Sequence, residues 1–470
     1  MRLRLVLFAL LFVGSAAAQP DRYELGRRMH LFEVAWDEKA ADPAAKKRAA
    51  PHVNRAVQSY FTLNLPGVAQ ALDEARYALQ GGDVPAAVKW ADSLAAVPET
   101  RVVDVTTGEL SVTVKAFYKS DAAAPAGAVA RAAFGRLGAR VEAKLDTLPV
   151  TLKLPAPPGD QSEDTRVTVE ILVDGKPVSA KSAGVSRVAK FAERLAAVKA
   201  NPLPGPPTTI EQATFADLVK LLTEFEKKGS PETDYPVSRL MSGAEALIRD
   251  KEKGDYYTYR RAGVFWLTVP TAKTPTVIRI SIPPTKKDGP KEAFPVLVAL
   301  HGMGGSENLF FDGYGAGIVP RLAAERKWLV VAPRVTGLLG GGPAPDVPAI
   351  LDQLAKRYPI DEKRVYVVGH SMGAGHALQL AQANPKRFAA VAALGGGGRV
   401  SKPDAFAGVP VYVGCGKLDF ALGGARALHK SLDAAKVAVT LKEYDDIEHL
   451  TIVREAAPDV IKFFEGVGKK

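Results

Sequence analysis

Val365-Tyr366-Val367-Val368-Gly369-His370-Ser371-Met372-Gly373-Ala374-Gly375-His376-Ala377-Leu378 is the stretch from which the fold is read. Val365 to Val368 leave no polar face, as in a strand buried on both sides. Directly afterwards Ala374, Ala377, Leu378 and Ala381 recur at helical spacing. Between strand and helix, Gly369 and Gly373 flank His370-Ser371-Met372. A serine on so sharp a turn is pushed into a strained, exposed position. Its flanking glycines are needed where neighbouring backbone comes too close for side chains. The new helix aims its first N–H groups at whatever reacts there. In a chain with 42 glycines a Gly-x-Ser-x-Gly pattern alone is weak. Its setting gives it weight.

The surrounding 210 residues repeat that texture. Val264–Val269 and Thr276–Ile282 read as strands, followed by the short apolar runs Val296–Leu300, Leu329–Ala332, Val391–Leu394 and Val411–Val413. Helical segments alternate with them at Val319–Arg326, Val347–Arg357, Met372–Ala383 and Gly424–Ala434. Buried strands alternating with helices predict an α/β domain over 260–470, a mostly parallel sheet with helices on both faces.

A serine hydroxyl is a weak nucleophile until a base takes its proton, and the base needs a third group to orient it. The chain has seven histidines. His30 and His52 fall in N-terminal helices, His376 and His429 on later ones, and His370 inside the pentapeptide. His301 belongs to a glycine-rich loop. His449 remains, in a loop after the strand Val439–Tyr444 and before a helix carrying Val460, Phe463 and Phe464, where a base belongs. Asp419, just past Val411–Val413, is the candidate acid. Asp445, Asp446 and Glu448 are rivals on the base's own loop, and Asp404 precedes its strand. The negative oxygen of a tetrahedral intermediate also needs donors. The N–H of Met372, next to the serine, is one candidate. The other is Met303 in His301-Gly302-Met303-Gly304-Gly305, a loop without the phasing of a dinucleotide site.

Together these residues resemble the α/β-hydrolase superfamily. The likeness covers less than half the chain. It rests on Pro295-Val296-Leu297-Val298-Ala299-Leu300-His301-Gly302, on Asp361 to Gly373, and on Glu448-His449-Leu450. Within the superfamily the chain looks like the secreted esterase branch: feruloyl esterases, polyhydroxybutyrate depolymerases and phospholipase/carboxylesterase-like proteins. A more distant likeness is to the catalytic domain of prolyl oligopeptidases, although no propeller repeat precedes it. The resemblance implies ester hydrolysis through an acyl-enzyme, with Ser371, Asp419 and His449 as triad and no cofactor or metal. Ala374 stands where many relatives have a second glycine. Gly337–Pro345 lacks a tryptophan often found nearby, and this segment is expected to shape the substrate pocket. The short domain leaves little room for a cap, so an open cleft is expected. Two alternatives stay open: a serine peptidase of prolyl-oligopeptidase-like type, and a binding protein with a silent hydrolase domain.

The remaining half reads as accessory. Arg2 and Arg4, the apolar run Leu5 to Val13, and Ala16-Ala17-Ala18 form the pattern of a signal peptide over 1–18, giving an exported protein, periplasmic or extracellular. The alternative is an uncleaved anchor, but the run falls short of the roughly 20 residues a span needs. Residues 20–100 read as alanine-rich helical hairpins, with Leu94 on a second helix after Gly81-Gly82. Alternation predicts a small, sandwich-like β module over 101–185. A helical, proline-rich connector follows over 186–258. These parts would set the catalytic domain on a surface or polymer. The sole cysteine, Cys415, excludes an internal disulfide and reads as a buried small residue. The net charge of +11 is dispersed, without a basic block interleaved with aromatics, so nucleic acid is not an expected partner.

Overall fold

The computed structural model describes residues 19–467 apart from 106–107, 136–137, 158–160, 230, 252–254, 287–288, 337–340, 399, 401 and 407. The signal-peptide reading of 1–18, and the Gly337–Gly340 part of the pocket segment, lie outside the described residues.

Eight strands form the central sheet: β1 (Gly263–Val269), β2 (Thr276–Ile282), β3 (Phe294–Leu300), β4 (Leu329–Pro333), β5 (Ile360–His370), β6 (Ala390–Leu394), β7 (Val411–Gly416) and β8 (Val439–Tyr444). Their spatial order is β1-β2-β4-β3-β5-β6-β7-β8. The β1–β2 and β2–β4 pairs are antiparallel and every other pair is parallel. The expected α/β architecture is present.

The two faces of this sheet follow from the period of two along each strand. Val296, Val298, Leu300, Val365, Val367, Val391, Ala393, Val411 and Val413 enter one apolar cluster. Leu297, Ala299, Val330, Ala332, Tyr366, Val368, Ala390, Ala392 and Tyr412 enter the other. The first face is covered by Val347–Ala355, Met372–Ala383 and Leu422–Ala434. It is also covered by the helices Phe191–Ala200, Ile210–Glu226 and Val237–Arg249, through Leu195, Phe215, Leu222 and Met241. The segment expected as a connector is therefore packed into the sheet's core, because its apolar stripes need a partner and the sheet supplies one.

The second face is covered by Ile318–Glu325, by the last helix Ile452–Val467, and by three N-terminal helices: α1 (Gln19–Glu38), α2 (Pro43–Phe61) and α3 (Leu65–Gln80). Phe32 and Trp36 of α1 and Ala49 and Val53 of α2 are fully buried in the same cluster as Leu297 and Tyr366. Polar contacts fasten the same interface. The Trp36 indole N–H donates to Glu455 at 2.8 Å, Lys46 pairs with Glu455 at 3.0 Å, and Asp37 pairs with Arg454.

The β module is a sandwich. A sheet of Leu94–Pro98, Glu109–Ala116 and Val150–Pro155 and a five-stranded sheet carrying Glu163–Val173 and Lys176–Arg187 enclose Leu110, Val112, Phe134, Val169 and Ile171. Leu94, expected on a helix, opens a strand instead. The preceding helix stops at Asp92, whose carboxylate is drawn into contacts with Arg76, Tyr77, Ser179 and Lys181.

Candidate active site

Ser371 sits between β5 and the helix Met372–Ala383 with φ 55° and ψ −118°, a backbone conformation strained for any residue but glycine. The flanking glycines make that turn possible. A Cβ on Gly369 would lie 2.0 Å from the Gly373 carbonyl oxygen, and one on Gly373 would lie 2.1 Å from the Leu300 oxygen. The Ser371 N–H donates to Leu394 O at 2.9 Å, tying the elbow to the end of β6.

The structure brings Ser371, His449 and Asp419 together. His449 Nε2 is 3.0 Å from Ser371 Oγ, and His449 Nδ1 is 3.0 and 3.1 Å from the two Asp419 carboxylate oxygens. Asp419 follows β7 and His449 follows β8, so all three groups collect at the carboxyl ends of neighbouring parallel strands. Asp419 and His449 are buried. Burial raises the Asp419 pKa, but the hydrogen bond and charge of His449 and the Ala421 N–H at 2.8 Å outweigh it and hold the carboxyl below its ordinary range. A carboxylate facing Nδ1 fixes the imidazole with Nε2 directed at the serine. Gly416 allows the approach of the two loops, since a Cβ there would lie 2.1 Å from Ile447 O.

The rival acids take other parts. Asp445 pairs with Lys417. Glu448, fully buried, accepts from the N–H groups of Leu450 and Thr451 at 2.6 and 3.1 Å and steadies the start of the last helix. Asp404 lies in a short turn ahead of β7. Cys415 is buried, and burial raises its thiol pKa.

Met372 opens its helix, so its N–H belongs to the first-turn group that has no acceptor within the helix. Met303 follows Gly302, where a Cβ would lie 3.3 Å from the Ser371 Cβ. Both candidate oxyanion residues therefore flank the serine. His301 holds their loop. It is buried, its Nδ1–H donates to Gly302 O at 2.8 Å, and its Nε2 accepts from Val335 N–H at 3.0 Å. Burial keeps this imidazole neutral by lowering its pKa.

His370, set aside as a base by the sequence, has a place in the site. Its Nε2–H donates to the His449 carbonyl at 2.8 Å, and its Nδ1 accepts from the Tyr314 hydroxyl at 2.7 Å. That hydroxyl in turn accepts from Gly302 N–H at 3.3 Å. Burial, with the neighbouring His449 adding to it, lowers the His370 pKa to about 3, so the ring stays neutral in this relay. The relay joins the oxyanion-side loop to the base loop behind the serine. Its one sequence signal was a histidine at the position before the candidate nucleophile.

The N-terminal helices reach the same edge. Arg22 of α1 donates to Gly304 O at 2.7 Å. The Tyr60 hydroxyl of α2 lies where a Cβ on Gly304 would be. The Phe61 ring packs edge-on against Phe420 with centroids 6.0 Å apart, and Phe420 lies over the His449 ring at 4.4 Å. The expected open cleft is thus bordered on one side by α2. A wall of the cleft thus comes from the other end of the chain. Among the described residues, no cluster of His, Cys, Asp and Glu side chains could hold a metal ion.

Residues 295–414 match the family described as having the alpha/beta hydrolase fold. Solved structures similar to the chain include a thermostable esterase (16% identity, 80% of this chain and 99% of that one, TM-score 0.39). A ferulic acid esterase matches at 18% identity over 44% of this chain and 99% of its own, with TM-score 0.38. A fluorophosphonate-binding serine hydrolase of Staphylococcus aureus matches at 15% identity over 43% and 96%, with TM-score 0.37. No curated protein matches the sequence significantly.

Proposed function

We propose that this chain, which carries an α/β-hydrolase domain, is a serine esterase that cleaves carboxylic esters through an acyl-enzyme on Ser371. The observation that carries the reading is the unbroken hydrogen-bonded line from Ser371 through His449 to Asp419, starting from a strained, positive-φ serine. Ser371 Oγ attacks the acyl carbon while His449 Nε2 takes its proton. The oxygen that becomes negative is met by the N–H groups of Met303 and Met372. His449 then gives the proton to the leaving alcohol oxygen, and the C–O bond breaks. Water enters, loses a proton to His449, attacks the acyl carbon and releases the acid, returning the proton to Ser371. Asp419 stays ionised throughout and stabilises the imidazolium. The active site's own side chains supply every proton transfer.

Ser371→Ala should fold like the parent, resist labelling by a fluorophosphonate probe, and lose hydrolysis of p-nitrophenyl acetate. Asp419→Asn should lower kcat by on the order of 10³–10⁴, because the amide favours the wrong imidazole tautomer. Parent-like turnover by Ser371→Ala would refute the assignment. Faster turnover of peptide anilides than of esters by the parent would make it a peptidase instead.

A further inference from the structure

The most exposed of the large apolar side chains lie on the segments around the site. Among the described residues the four most exposed are Phe420 at 67%, Leu63 at 58%, Phe61 at 52% and Met303 at 46%. Phe420 and Phe61 border the site, and Leu63 and Met303 lie on the two segments that adjoin it. Phe420 follows Asp419 directly and covers the His449 ring at 4.4 Å. Phe61, the last residue of α2, touches Phe420, and Leu63 lies in the turn just after it. The neighbouring Tyr60 presses on Gly304, next to Met303. Exposed apolar patches of this kind, beside a reactive centre, mark ligand contacts.

We infer that Phe420 and Phe61 bind the alcohol portion of the ester, and that the substrates are esters of apolar alcohols. This rests on the esterase reading and adds which half of the substrate is recognised. The proton path fixes the side. The leaving oxygen must come to His449 Nε2 to be protonated, so the group attached to it leaves along the imidazole. The surface covering that imidazole is Phe420, and Phe61 extends the aromatic surface from it. An alkyl or aryl group on the alcohol oxygen meets two aromatic faces there. A residue some 300 positions before the nucleophile thereby becomes a specificity determinant, held in register by the Tyr60 and Arg22 contacts to the Gly304 segment.

Two isomeric esters separate the possibilities. Hexyl acetate places its apolar chain on the alcohol, and ethyl hexanoate places the same number of carbons mostly on the acyl side. The full-length parent should favour hexyl acetate by kcat/KM. Phe61→Ala and Phe420→Ala should each reduce the ratio of hexyl acetate to ethyl hexanoate by about tenfold. Phe61→Leu should restore much of it, and Val264→Ala, an exposed apolar residue on the sheet's outer strand, should leave it as in the parent. Circular dichroism checks that each variant is folded. A ratio unchanged by both alanine variants, or one that rises because ethyl hexanoate suffers more, would overturn the inference while leaving the esterase standing. A parent that hydrolyses no ester and takes up no fluorophosphonate would remove the esterase reading, and this inference with it.

Discussion

The residue before the proposed nucleophile illustrates how a site is built from behind. His370 is buried, bonded on one side to the His449 carbonyl and on the other to Tyr314. His370→Ala would leave a carbonyl and a hydroxyl without their partner, each worth roughly 1–3 kcal/mol when buried. It would also free the loop that aims His449. Misplacing a catalytic group by even a fraction of an ångström is costly in rate. The expected result is a lower melting temperature and a rate of fluorophosphonate labelling reduced by about tenfold. Labelling at the parent rate would show that the relay only fills space. The pattern Gly-x-Ser-x-Gly left this position blank, so the role was not readable from the motif. Ser371 and Asp419 were nameable because each follows a recognisable apolar strand, and His449 because the other six histidines fell elsewhere, in the chain order that the resemblance implied.

At the scale of elements, α1 does more than cover the sheet. It carries Glu33, which is fully buried near Arg454 and the Gly315 turn. Burial raises its carboxyl pKa to about 8, against the partial opposition of Gly315 and Arg454. A folded pKa above the unfolded one means the unfolded chain releases this proton first. The stabilising contribution is then whole below about pH 4, is lost as pH rises towards 8, and changes little above that. Glu33→Gln, which stays neutral, should therefore gain melting temperature relative to the parent progressively from pH 5 to pH 8. A difference that stays constant across that range would place the ionisation elsewhere. Residues 20–100 read as helical and alanine-rich, with clear spacing in α3, but their polar residues gave no sign of which neighbour they would meet. Leu94 shows the opposite error. Local spacing placed it on a helix, and pairing with Glu109–Ala116 made it a strand.

For the whole molecule, the division into accessory and catalytic halves changes meaning. The 260–470 segment holds the complete sheet, yet helices from 19–80 cover one face and helices from 191–249 cover part of the other. Cutting at residue 258 would expose the sheet where Phe32, Trp36, Phe215 and Leu222 now lie, at about 1.5–3 kcal/mol for each large side chain. For these four side chains the loss is roughly 6–12 kcal/mol, comparable to the about 5–15 kcal/mol by which a domain is usually stable. A 260–470 fragment should accordingly aggregate or lack a cooperative thermal transition, and the full chain should unfold its sheet and N-terminal helices together. A soluble, cooperatively melting fragment would show that the 260–470 segment is self-sufficient.

The sequence alone determined the mostly parallel sheet and the serine turn, while the order of the candidate triad was implied by the resemblance. Sheet and turn depend on short-range pattern: fully apolar runs, helical spacing, and glycines where backbones crowd. Only the tertiary structure decided that α2 walls the site, that His370 links its two loops, and that Phe61 meets Phe420. Such contacts join residues hundreds of positions apart. Their energy comes from which surfaces meet, and a linear pattern records that a face is apolar without recording what covers it.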